Sequence, residues 1–209
     1  MTDPAAPLLL NLDGYTPLPP GKIAGVVTML DMTAPPPPLP ERATEGLTLE
    51  RMPAPDVAWY RALFRRVGED WLWFSRLRMS DSELAAIIQH PAVDVLVLRK
   101  DGVDAGYIEL DGREPGEIEL AFVGLVPEMV GSGAGRFMMN RALARAWERQ
   151  PRRVHVHTCT HDKQGALTFY IKAGFRPYAS AVEIVDDPRL AGLLAREAAP
   201  HVPVIRPAD

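Results

Sequence analysis

The 209-residue chain has a single cysteine, no long apolar run and no surplus of positive charge. A lone cysteine excludes an intrachain disulfide framework and suits a reducing compartment. No uninterrupted apolar stretch approaches the roughly 20 residues of a spanning helix, so no membrane partner is expected. A formal net charge of -4 lacks the basic footprint of a nucleic-acid binder, so that partner is not expected either. The opening MTDPAAPLLLNLDGY has no basic segment and only the short run Leu8 to Leu10, unlike a secretory signal. A cytoplasmic protein is the expectation. With 47% hydrophobic and 24% charged residues, the chain has the composition of a globular fold with a real core.

Proline, by contrast, is abundant: 21 residues, concentrated before residue 60. Pro35 to Pro38 and Pro40 predict an extended, polyproline-like spacer. The spacer divides the chain into an arm (1–45), a body (46–187) and a tail (188–209) expected to hold a short helix and loose residues. Within the arm, Ile23 to Leu30 reads as a β-strand. Such a strand must bury its edge on its own domain or on a neighbouring subunit, and the second alternative would make a homodimer.

In the body, a strand is expected over Leu47 to Met52. A helix from Asp56 to Val67 follows, with Val57, Tyr60, Leu63, Phe64 and Val67 at helical spacing. Ser80-Asp81-Ser82-Glu83 has the form of a capping box and opens a second helix, stopped by Pro91. Strands are expected over Val93 to Arg99, Ala105 to Leu110 and Glu117 to Leu125, the first two joined by an Asp101-Gly102 turn. A long helix to about Gln150, a strand at Val154 to Thr158, a helix from Gln164 to Ala173 and a last strand from Phe175 complete the order. This is a mixed α/β fold: a mostly antiparallel sheet flanked by helices, with an N-terminal strand-containing arm.

The strand ending at Leu125 runs into Gly131-Ser132-Gly133-Ala134-Gly135, and the helix behind it keeps one apolar face. A glycine-rich turn at a helix start leaves several backbone N–H groups without intrahelical partners, at the positive end of the helix dipole. That suits a diphosphate. The turn is not a P-loop, because no Lys-Ser/Thr follows the last glycine, and Arg136 spoils a dinucleotide fingerprint.

Downstream, Ala166-(x)3-Tyr170-(x)3-Gly174-Phe175 stands about 30 residues beyond Val130-x-x-Gly133-x-Gly135. With both segments in place, residues 47 to 185 closely resemble the GNAT superfamily of acyl-CoA N-acyltransferases. The resemblance implies acetyl-CoA as cosubstrate and N-acetylation of an amine on a small molecule or peptide, by direct attack. It implies that Phe122, Val123, Gly124 and Leu125 pair with the pantetheine arm, on a strand that splays or bulges, with which Gly124 is compatible. It implies that Val130, Gly131, Ser132, Gly133, Ala134, Gly135 and Arg136 form the pyrophosphate site. Val130 departs from the family's Arg or Gln there, leaving the work to backbone donors or to Arg136, Arg141, Arg145 or Arg149.

The chemistry needs a proton acceptor for the amine, a donor for the oxyanion and an acid for the thiolate. Tyr170 is the acid that the resemblance implies. Glu119 is the candidate base, on the face of its strand opposite Ile118 and Leu120. Glu69, Asp70, Trp71 and Trp73, between the first two helices, are the candidate acceptor-binding residues, since aromatics with carboxylates suit a cationic amine.

A rival reading starts from His155, His157, Cys159 and His161, which alternate along one strand and have a metal-ligand composition. No H-E-x-x-H or paired C-x-x-C accompanies them, and no metal is expected. Cys159 is not placed as an activated nucleophile. A non-enzymatic alternative is a degenerate acetyl-CoA-binding or interaction module.

Overall fold

A computed structural model describes residues 9–42 and 44–208. The first eight residues of the arm, residue 43 and residue 209 lie outside the described residues, as does half of the N-terminal stretch read above for targeting. Among the described residues, no helix is long and apolar enough to cross a membrane.

Seven strands form one sheet: β1 (Lys22–Met32), β2 (Leu47–Met52), β3 (Val93–Lys100), β4 (Val103–Asp111), β5 (Glu117–Leu125), β6 (Arg153–Cys159) and β7 (Arg176–Asp186). Four helices accompany them: α1 (Val57–Gly68), α2 (Asp81–Ile88), α3 (Ala134–Trp147) and α4 (Ala166–Lys172). The spatial order is β2-β3-β4-β5-β6-β1-β7. All neighbours are antiparallel except β5 and β6, the pair joined through α3.

The local signals hold. Ser80 and Glu83 make the reciprocal capping box that opens α2. Asp101 and Gly102 both take positive φ (50° and 82°), the two-residue turn that matches strand twist in the β3–β4 hairpin.

β1 is an interior strand. It pairs with β6 from Val27↔Cys159 to Met32↔Val154, and with β7 from Lys22↔Asp186 to Asp31↔Arg176. Both of its edges are therefore satisfied within the chain. The expectation of a dimer through this strand is corrected accordingly: its hydrogen-bonding edges are already taken.

Alternation along the strands sorts the core into two layers. On one face, Leu96, Leu98, Ile108, Leu110, Ile118 and Leu120 pack against Met138, Met139, Ala142 and Leu143 of α3, with Tyr170 and Phe175 from the α4 end. On the other, Val93, Val95, Val97 and Tyr107 pack against Tyr60, Leu63 and Phe64 of α1 and Leu84 and Ile88 of α2. Asp94, fully buried, takes Arg51, Arg145 (3.1 Å) and Arg149 (2.7 Å), which ties β2 and α3 to β3.

The C-terminal expectation is corrected. Residues 188–208 contain turns but no helix, and they are not loose. Leu194, Ala198 and Ala199 are buried with Ile23 and Leu72 in a third apolar cluster. Buried Arg189 pairs with buried Asp187 at 2.7 Å and donates to the carbonyls of Ala198 (3.0 Å), Ala199 (3.2 Å) and Val202 (2.8 Å). One guanidinium thus organises a segment poor in regular structure.

Candidate active site

β5 and β6 are paired at only three positions, Glu117↔Arg153, Ile118↔Val154 and Glu119↔His155. Beyond Glu119 they part. A bulge in β5 coincides with the separation: Leu110 faces Leu120 and Glu109 faces Phe122, leaving Ala121 as the extra residue. Such a bulge adds twist and bends the strand. It falls at Ala121, not at Gly124. Gly124 has a different reason: a Cβ there would sit 2.2 Å from Val67 Cγ1, so α1 packs directly on the backbone.

The opening between the two strands widens into a cavity of about 890 Å³. Phe122 to Leu125 line one side of it and the glycine turn closes one end. In that turn Gly133 is the N-cap of α3 at φ 95°, a left-handed conformation that glycine adopts without strain. Ser132 Oγ accepts from the Ala134 amide (3.3 Å), and the Gly133 carbonyl accepts from the Arg136 amide (3.1 Å). Among the described residues, the amides of Gly131, Gly133 and Gly135 donate to no protein acceptor. Val130, Gly131, Ser132, Gly133, Gly135 and Arg136 all line the cavity. Ala134 does not; its side chain is buried in the α3 core, so only its backbone belongs to the turn.

Tyr170 projects from α4 into the same cavity. Burial pushes its phenol well above the ordinary tyrosine range, so it stays protonated at neutral pH. It has no hydrogen-bond partner among the described residues, and its ring packs edge-on against Phe175.

Glu119 lies on the opposite face of the sheet from Ile118 and Leu120, hence on the side away from Tyr170's packing layer. Its Oε1 is 3.2 Å from His157 Nδ1. The hydrogen bond from His157 holds the carboxyl below its ordinary range despite partial burial, and the same bond raises the imidazole. His157 also lines the cavity. In the sequence it belongs to the metal-like stripe, which carries no sign of its partner on another strand.

That stripe divides in the structure. His155, His157 and Cys159 share a face, whereas His161 lies beyond the strand, in the turn after Cys159. His155 Nε2 faces Glu117 at 3.7 Å. Burial raises the Cys159 thiol, the opposite of an activated thiolate. No group of three or more His, Cys, Asp or Glu side chains among the described residues is arranged to hold a metal ion.

The acceptor-side expectations split as well. Trp71 and Trp73 line the cavity; Glu69 and Asp70 do not. They belong to a 3-10 turn, Glu69–Trp71, that turns them outward: Glu69 accepts from the Ala195 amide (3.3 Å), and Asp70 is exposed. Asp162 is the residue missed here. Its Oδ1 accepts from Trp73 Nε1 (3.2 Å), while Oδ2 accepts from Thr158 Oγ1 (2.7 Å) and the Cys159 amide (2.8 Å). One carboxylate thereby joins the loop after α1 to the end of β6 across the cavity. Buried Arg76 also reaches the cavity wall, held by Glu109 at 2.5 Å.

The cationic substitutes expected for position 130 are mostly committed elsewhere. Arg141 pairs with Glu41 (2.7 Å), and Arg145 and Arg149 with Asp94. Only Arg136 of those four reaches the cavity.

Known proteins share this fold. The family model described as acetyltransferase (GNAT) family matches residues 56–175, more than half of the chain. An uncharacterized N-acetyltransferase of Mycobacterium tuberculosis (strain ATCC 25618 / H37Rv) is 30% identical over 103 residues, 49% of this chain and 65% of the relative. The chain thus spans just under two thirds of that relative's length. Among solved structures, a GCN5-related N-acetyltransferase from Sphaerobacter thermophilus superposes with a TM-score of 0.62 at 16% identity, covering 78% of this chain and 52% of that one. One from Kribbella flavida gives 0.54 at 20% identity, covering 82% and 63%. These likenesses carry the fold, and the family match runs from α1 through the glycine turn to Phe175. The splayed β5–β6 pair, the glycine turn and Tyr170 are therefore those of a member of the GNAT acetyltransferase family, to which this chain belongs.

Proposed function

We propose that this acetyltransferase moves an acetyl group from acetyl-CoA to a primary amine by direct attack, within a cytoplasmic setting. The observation that carries the reading is the position of Glu119 and Tyr170 on opposite sides of one gap. That gap leads from the free amides of the glycine turn to a cavity walled by Trp71 and Trp73.

Each residue has a role set by its surroundings. The amides of Gly131, Gly133 and Gly135, with the positive end of α3, hold the donor's diphosphate. The backbone from Phe122 to Leu125, freed from β6 by the splay, has unpaired groups on that side for the pantetheine amides. Trp71 and Trp73 give the acceptor an aromatic wall.

Glu119 and His157 act as one proton-accepting pair. Alone, a carboxylate held below its ordinary range is a weak base; paired, the proton taken from the ammonium rests on the imidazole and Glu119 holds the resulting cation. The neutral amine nitrogen then forms the C–N bond to the thioester carbonyl as the C–S bond breaks. Tyr170 gives its phenolic proton, which burial keeps available at neutral pH, to the departing sulfur, and the second proton shed by the acetylated nitrogen restores the phenol. Cys159, with a raised thiol, forms no acyl intermediate.

Thiol release from acetyl-CoA across a panel of amines tests this reading, with Tyr170→Phe and Glu119→Gln beside the wild type. Amine-dependent release that both substitutions suppress supports it. Tight CoA binding with no release on any amine favours a binding module instead.

A further inference from the structure

The proline-rich strap ends on the phosphate turn. Pro35 to Pro38 run beside Leu143, Ala144 and Trp147 of α3. Asn140 then clamps Leu39 with both ends of its amide: the Leu39 N–H donates to Oδ1 (2.8 Å), and Nδ2 donates to the Leu39 carbonyl (2.9 Å). Next, Glu41 accepts from Asn140 Nδ2 (2.8 Å) and Arg141 NH1 (2.7 Å). The chain runs from the C-terminal end of α3 toward its N-terminus, so these anchors deliver Arg42 to the glycine turn.

The contact there is close. A Cβ built on Gly133 would lie 3.1 Å from the Arg42 carbonyl oxygen, and Arg42 lines the main cavity together with Val130 and Arg136. The neighbouring carboxylate, Glu41, is already taken by Arg141, and Arg42 has no ion-pair partner among the described residues. Arg42 lines that cavity together with the three glycines and Arg136, and two guanidinium groups without an ion-pair partner among the described residues give the site more positive character than the amides alone. Position 130, where the family's own cationic or amide side chain would stand, offers only the isopropyl group of valine.

We propose that Arg42, carried to the turn by the strap, is a side-chain ligand for the diphosphate of the donor, beside Arg136. The inference rests on the acetyl-CoA reading above. It makes the arm part of the donor site: Asn140 and Glu41 are positioning residues that act through Arg42, and the planar guanidinium supplies the bidentate contact that valine lacks.

Calorimetric titration of CoA into wild type and Arg42→Gln, at low and high salt, tests it. Both proteins are first matched by thermal melting. The proposal expects about tenfold weaker CoA binding in the variant at low salt, the scale of one partly exposed charge-assisted hydrogen bond. It also expects a shallower loss of affinity with salt, because one screened charge is gone. With acetyl-CoA as donor, KM should rise while kcat at saturation stays near wild type. Equal affinity, or a weakening with an unchanged salt dependence, would overturn the role of Arg42. Wild type that does not bind CoA would overturn the donor reading, and this proposal with it.

Discussion

Glu119 Oε1 lies 3.2 Å from His157 Nδ1, two residues beyond the last position of β6 paired with β5. The pair spans the place where the sheet opens, and each member shifts the other: the carboxyl down, the imidazole up. By NMR, His157 should titrate above the ordinary histidine range in wild type and fall back toward it in Glu119→Gln.

The same pair sets two pH dependences. His157 is raised on folding, so its contribution to stability is full below the unfolded histidine pKa and is lost as pH rises through the folded value. Glu119 is lowered, so its contribution is full above the unfolded carboxylate pKa and is lost as pH falls through the folded value. The wild-type stability advantage over His157→Gln in urea denaturation should be largest in mild acid and shrink toward alkaline pH. Catalysis runs the other way. In the proposed reaction the neutral imidazole is the competent form, so kcat/KM should climb as His157 loses its proton. Glu119→Gln should shift that climb to lower pH while cutting the rate about 10²-fold, the usual scale of general-base loss.

Tyr170→Phe removes a proton donor without emptying the space its ring fills. A fall in kcat of about 10²-fold is expected. CoA binding should be unchanged, because the phenol makes no hydrogen bond to a described residue that the substitution would break. Steady-state kinetics together with calorimetry read both quantities. A proportional loss of CoA affinity would show that Tyr170 serves binding and not proton transfer.

Arg189→Met should destabilise the fold by about 3–5 kcal/mol, since it leaves Asp187 buried without its cation. Three carbonyls also lose their donor. Removing Asp187 and Arg189 together should cost less than the single change. Urea midpoints of the three proteins check this, and a single variant no less stable than wild type would contradict it.

Asp162→Ala releases Trp73 Nε1, Thr158 Oγ1 and the Cys159 amide at once. A loss of about 1–3 kcal/mol is expected from unsatisfied donors. Because Trp73 walls the cavity, the KM for the amine should rise more than the KM for acetyl-CoA.

Elements and their faces were legible because they are written in local periodicity. The α1 residues Tyr60, Leu63, Phe64 and Val67, the Ser80 capping box and the Ile118/Leu120 alternation all carry their own signal. The glycine turn and the tyrosine helix were legible as a spaced pair of motifs. What stayed hidden depends on contacts between distant segments. Nothing near Ile23 to Leu30 states that β1 inserts between β6 and β7. Glu69 and Asp70 carried the right chemistry, but one 3-10 turn points them outward. The tail read as loose because its order comes from Arg189 and not from periodicity. His157 could have been found had its stripe been compared with the parallel strand carrying Glu119; Arg42 had no sequence signal at all.

In the proposed reaction an acetyl group passes directly from acetyl-CoA to an amine across the gap between β5 and β6. Incubation with acetyl-CoA carrying a ¹³C-labelled acetyl group, followed by mass spectrometry of both the amine and the protein, tests it most directly. Direct transfer predicts labelled acetyl on the amine nitrogen, free CoA in equal amount and no label on Cys159. Labelled Cys159 on the path to product, or CoA released with no acetylated amine, would contradict it.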